Sequence, residues 1–61
     1  MDKLLTPDEL CEICKIKKSK LYKLTSRKII PFIKIGRELR FQLEKVIERL
    51  EVETIKGRIL L

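Results

Sequence analysis

Between Pro7 and Cys14 the apolar residues Leu10, Cys11, Ile13 and Cys14 fall on one broad helical face, with Asp8, Glu9 and Glu12 on the other. The start of this helix is marked independently. Thr6 stands at the N-cap, Pro7 at the first helical position, and Glu9 completes a capping box while its charge suits the positive helix end. The pattern predicts a first helix over 7–14 with both cysteines turned to the core. Lys15-Ile16-Lys17 is long enough only for a tight connection. A second helix is predicted over 18–26, with Leu21 and Leu24 buried and Ser19, Tyr22, Lys23 and Ser26 facing outward, flanked by Lys20 and Arg27. Two helices so joined have helix-turn-helix spacing.

Ile29-Ile30-Pro31 stops the helical period, because a residue before proline is pushed to extended geometry. Phe32-Ile33-Lys34-Ile35 then reads as a strand, Gly36-Arg37-Glu38 as a turn and Leu39-Arg40-Phe41 as the returning strand. Alternation with Ile33, Ile35, Leu39 and Phe41 inward sends Lys34 and Arg40 outward together. From Gln42 the helical period returns through Leu43, Val46, Ile47 and Leu50, predicting a third helix to about Glu51. Its Glu44, Lys45, Glu48 and Arg49 read as solubility and local pairing. The expected fold is mainly α with a small β-hairpin: a winged helix-turn-helix of three helices, its two-stranded wing between helices 2 and 3, spanning residues 1–51. In the tail, 52–61, Gly57 disfavours a long helix. Ile55, Ile59, Leu60 and Leu61 are more apolar than a solvated terminus requires, so the tail is expected to contact a partner or a second copy.

Charge changes the picture from a fold to a surface. From Lys15 to Arg40 there are ten Lys or Arg residues and one acid, Glu38, a local +9 in a chain of net charge +6, so the remainder carries −3. An acidic scaffold with a basic working stretch is the electrostatic pattern of a protein that displaces counterions from phosphates. The other chemistries are poorly served. A chain of this size buries only roughly 60% of its unfolded surface, which leaves no room for a large catalytic cleft. It has no histidine to serve as a general base, and neither a nucleophile arrangement nor a phosphate-binding glycine loop, so an enzyme is not expected. Cys11 and Cys14 have the spacing of half a zinc site, but four ligands are needed and the chain has no other cysteine. They read as small core residues, and no metal or cofactor is expected. No apolar run approaches a membrane span and no signal peptide is evident, so a cytoplasmic protein is expected.

The order of these pieces resembles the excisionase-type, MerR-like winged helix-turn-helix family of phage and plasmid excisionases and related small regulators. LLTPDELCEIC carries the first helix, KIKKSKLYKL the turn and recognition helix, IIPFIKIGRELRF the connection and wing, and LEKVIERL the closing helix. The chain departs from the family at Lys15, where glycine is frequent, and at Lys17, where a small capping residue is common; the first departure leaves the turn geometry open. The resemblance implies that the second helix enters the major groove and the wing reaches an adjacent minor groove or backbone. By position, Ser19, Lys20, Tyr22 and Lys23 would then be recognition-helix contacts, and Arg37 and Arg40 wing contacts.

The residues themselves point the same way. Lys17, Lys18, Lys20 and Lys23 offer ammonium groups to phosphates or guanine edges, Ser19 and Tyr22 offer hydroxyls, and Arg27 and Lys28 suit the backbone. Arg37 beside Gly36 suits a narrow minor groove, and Lys34 and Arg40 lie on the wing, where Arg40 has Glu38 as a rival partner. Double-stranded DNA is the expected partner. A homodimer, or copies bound cooperatively, would supply the affinity that one small module lacks, and a recombinase (an integrase) is the further partner of an excisionase. A transcriptional regulator without a recombination role, and an adaptor that binds an acidic protein, are the alternatives.

Overall fold

A computed structural model describes residues 3–57. In chain order the elements are β1 (Leu4–Leu5), α1 (Pro7–Cys14), α2 (Lys18–Ser26), β2 (Ile33–Ile35), β3 (Glu38–Gln42) and α3 (Leu43–Ile55). Both helices of the helix-turn-helix have the predicted bounds. The predicted box at the start of α1 is formed: the Glu9 N–H donates to the Thr6 hydroxyl at 3.1 Å, and the Thr6 N–H donates to the Glu9 carboxylate at 2.9 Å. At its other end the backbone turns left-handed at Lys15, φ 58°, and the Lys15 and Ile16 N–H groups both donate to the Cys11 carbonyl. The tight turn that glycine commonly makes is thus made here by a lysine.

Leu5, Leu10, Cys11, Leu21, Leu24, Ile30, Phe41 and Val46 form the core, and Cys14, Ile16, Ile29, Leu39, Leu43 and Leu50 pack against it. Two helical apolar residues expected inside lie outside. Ile13 is 49% exposed because it sits about 100° round the helix from the centre of the arc made by Leu10, Cys11 and Cys14. Ile47, 43% exposed, is displaced in the same way from the stripe Leu43, Val46, Leu50, Glu53. That stripe also explains why α3 runs a full turn beyond Glu51. Its next inward position is held by Glu53, an acid only 1% exposed and paired with Arg49 at 3.5 Å, so the apolar period breaks in the sequence while the helix continues. Val52 to Ile55 therefore belong to α3 rather than to a tail, and 58–61 lie outside the described residues.

The sheet has three strands, not two, in the order β1-β3-β2. Leu4 pairs with Gln42 and Leu5 with Phe41, so the residues just before α1 are stitched to the strand just before α3. The hairpin is tighter than expected, since only Gly36 and Arg37 form its loop and Glu38 is already in β3, opposite Ile35. Gly36 has φ 64° and Arg37 does not share the positive sign, as in a two-residue loop with glycine first. A loop one residue shorter moves every β2 side chain to the other face relative to β3. Ile33 consequently lies opposite Arg40, and Lys34 lies opposite Leu39 on the face of Phe41. The expectation that Lys34 and Arg40 share an outward face is overturned, as is the inward packing of Ile33 and Ile35, which are 37% and 55% exposed.

Candidate DNA interface

One side of α2 is fixed by burial: Leu21, Leu24 and Thr25 are in the interior, and the Thr25 hydroxyl donates to the Tyr22 carbonyl at 2.9 Å. The opposite side is then forced to be Ser19, Tyr22, Lys23 and Ser26, all exposed and spaced at i, i+3, i+4 and i+7. The helix contains no acid. Lys20 sits on the flank of this stripe, half-buried, and Arg27 caps the C-terminal end with its side chain exposed. Lys28 follows in the left-handed region, φ 57°, where the Ile29 N–H closes the turn on the Leu24 carbonyl at 2.9 Å. Lys15 and Lys28 thus place a cation at a left-handed bend before and after α2.

The beginning of α2 is less simple than its composition. Lys17 takes the N-cap position in extended geometry and its side chain makes no cap, so the first-turn N–H groups have no side-chain acceptor. Lys18 is paired with Asp8 of α1. The hydrogen bond to that carboxylate, reinforced by its charge, raises the Lys18 pKa above that of an ordinary lysine. Asp8 was not singled out in the sequence, where it reads only as part of the polar face of the first helix. Only the approach of the two helix N-termini reveals its partner.

On the wing, Arg37 is exposed at the hairpin tip beside Gly36, and Lys34 is exposed on β2. Arg40 is differently placed. It is half-buried and donates to the Leu39 carbonyl at 2.7 Å and to the Glu38 carboxylate, two residues along the same strand and therefore on the same face. The rival partner for Arg40 is the one it has. Cys11 and Cys14 are free thiols, and burial raises both of their pKa values, which keeps them protonated at neutral pH. Among the described residues no group of three or more His, Cys, Asp or Glu is placed to hold a metal ion, and no helix is long and apolar enough to cross a membrane.

A two-helix unit with an exposed, acid-free second helix and a basic hairpin after it is the architecture of a small DNA-binding module. The chain belongs to a helix-turn-helix domain family of excisionase-like small DNA-binding domains, whose family model matches residues 4–51. It is a DNA-binding helix-turn-helix protein, of a family that is typically non-enzymatic. Comparison with curated proteins and with solved structures finds no significant match.

Proposed function

We propose that the protein recognises specific sequences in double-stranded DNA and acts as an excisionase-type factor, organising DNA for a recombinase or regulating transcription from the same kind of site. The observation that carries this reading is the exposed stripe Ser19, Tyr22, Lys23 and Ser26 on a helix without acids. In the major groove that stripe offers hydroxyls and an ammonium to base edges and phosphates, with Lys17, Lys18, Lys20 and Arg27 beside it for the backbone. Arg37 at the hairpin tip is suited to the adjacent minor groove, and Lys34 to a neighbouring phosphate. Arg40 contributes mainly by holding Glu38 and the strand.

The longest dimension is 31 Å, which spans about nine base pairs at 3.4 Å each. One copy covers less than a full turn of DNA, so tight and selective binding calls for a dimer, for copies on adjacent sites, or for an integrase alongside. The candidate surface for such contacts is the end of α3 from Val52 onward, together with 58–61.

Enrichment of bound fragments from a random duplex pool tests the reading. A single preferred motif is expected. With about four to six phosphates neutralised, the logarithm of affinity should fall against the logarithm of salt with a slope of about −4 to −5. Lys23→Ala should weaken binding about tenfold and Lys45→Ala should leave it unchanged. Equal losses at both positions would mean that α2 is not the reading head. A deletion of residues 58–61 that leaves cooperativity on adjacent sites intact would remove the tail from the account.

A further inference from the structure

The register of the hairpin leaves two isoleucines that belong neither to the core nor to the residues packed against it. Ile33 lies opposite Arg40 and Ile35 opposite Glu38, so both stand on the sheet face turned away from Phe41. Ile35, 55% exposed, is in the last pair before the two-residue loop, next to Gly36 and close to Arg37. The alternation that turns it out turns the exposed Lys34 to the other face, so β2 carries a cation on one side and apolar side chains on the other. The two charged residues of β3 on the isoleucine face, Glu38 and Arg40, are paired with each other. A Cβ at Gly36 would meet nothing within 4 Å, so the tip itself is open.

Size decides what such a patch can meet. A stable protein–protein interface covers roughly 800 Å² on each partner, of which two partly exposed isoleucines supply a small fraction. A base step asks for a single side chain: proteins of the minor groove insert Ile, Leu, Met or Phe between neighbouring base pairs, unstack them and kink the duplex by about 20–90°. Isoleucine, branched at Cβ, has few rotamers to lose on insertion. The two-residue turn with glycine first holds the end of the strand in one direction. The surface is also continuous with the tip at Arg37, the residue suited to the minor groove. We infer that Ile35 is a wedge that enters a base step in the minor groove beside Arg37 and kinks the DNA, with Lys34 on a phosphate of the groove wall. Pyrimidine–purine steps, which unstack most readily, are the class of site it takes. The inference rests on the reading of the wing as a minor-groove element and supplies the residue by which the protein would bend its DNA.

The test uses the full chain and a duplex taken from the bound pool, with donor and acceptor dyes at its two ends. Energy transfer should rise on binding, as a kink of about 20° or more brings the ends together. 2-Aminopurine placed at successive positions should brighten at one step, where stacking is lost. Ile35→Ala should lose about half of the bend or more, and the brightening with it, while its affinity stays within about threefold of the parent, because the contacts of the wedge offset the cost of unstacking. Ile35→Leu should keep both signals. Lys34→Ala should do the reverse of Ile35→Ala, weakening binding severalfold with the bend retained, and Ile33→Ala, further from the tip, should change neither. Circular dichroism melts check that each variant keeps its fold. The inference is overturned if Ile35→Ala bends DNA as the parent does, or if no step brightens. It is also overturned if that variant loses cooperativity on adjacent sites with the bend intact, since a second copy would then cover the isoleucine. Binding without a bend overturns the wedge alone, whereas no duplex binding at all overturns the DNA reading as well.

Discussion

Lys15 is a residue where charge and conformation pull in different directions. A side chain in the left-handed region is disfavoured by roughly 1–2 kcal/mol, and glycine would relieve this while losing more freedom on folding. The net gain for Lys15→Gly is expected to be about 0.5 kcal/mol, a rise in melting temperature of roughly 2–4 °C by calorimetry. Asp8 poses a similar opposition for function. Because it holds Lys18 in the free protein, Asp8→Asn should strengthen DNA binding and steepen the logarithmic salt slope by up to about 0.9, with little change in stability, since the pair is largely exposed. An unchanged slope in a salt titration would mean that Lys18 reaches no phosphate. Glu9 gives the pH dependence. The Thr6 backbone N–H that it accepts, then the Thr6 hydroxyl, holds its pKa below the ordinary 4.5. A depressed carboxylate contributes stability that is complete above the unfolded-state pKa and is lost as the pH falls through the lower folded value. Urea midpoints measured below pH 4.5 should therefore decline less steeply in Glu9→Gln than in the parent, while at neutral pH the amide keeps part of the cap.

At the scale of elements, the helix-turn-helix was legible because its signals are local: a capping box, two helical periods and a connection too short to be anything else. The exposed stripe of α2 followed from the same periodicity. The wing was legible as a hairpin but not in its pairing, because the register turns on whether Glu38 belongs to the loop or the strand, and alternation fits either choice until a partner is seen. The extra turn of α3 was hidden by Glu53, a charge in a core-facing place. β1 was hidden because two leucines before a helix cap carry no strand period of their own, and their partners lie at Phe41 and Gln42. Asp8 as the partner of Lys18 was likewise a matter of tertiary approach. The tight hairpin makes a prediction of its own. A Cβ on Gly36 meets nothing within 4 Å, so the penalty in Gly36→Ala is conformational only, about 1 kcal/mol. Amide exchange across β2 and β3 should quicken in that variant while α1 and α2 keep their protection.

For the molecule as a whole, the core is small and every large member matters. Phe41, fully buried, joins the sheet to the helices, and Phe41→Ala is expected to remove about 3–5 kcal/mol. Domains of this size have little stability to spare. The variant should lose its cooperative thermal transition and its DNA binding together, although the buried Phe41 side chain is itself none of the proposed contacts; a retained sharp melt would show that the core is more redundant than its composition implies. The pairing of Leu4 and Leu5 with the far side of the chain has a consequence in time. α1 and α2 depend on neighbours close in sequence and can form as soon as they are made, whereas β1 must wait for β3 to leave the ribosome before it can close. Hydrogen exchange pulsed during refolding should find the pairing of Leu5 protected last. β1 is then made before its partner strand and secured after the two helices that follow it, a latch on a helix pair already assembled.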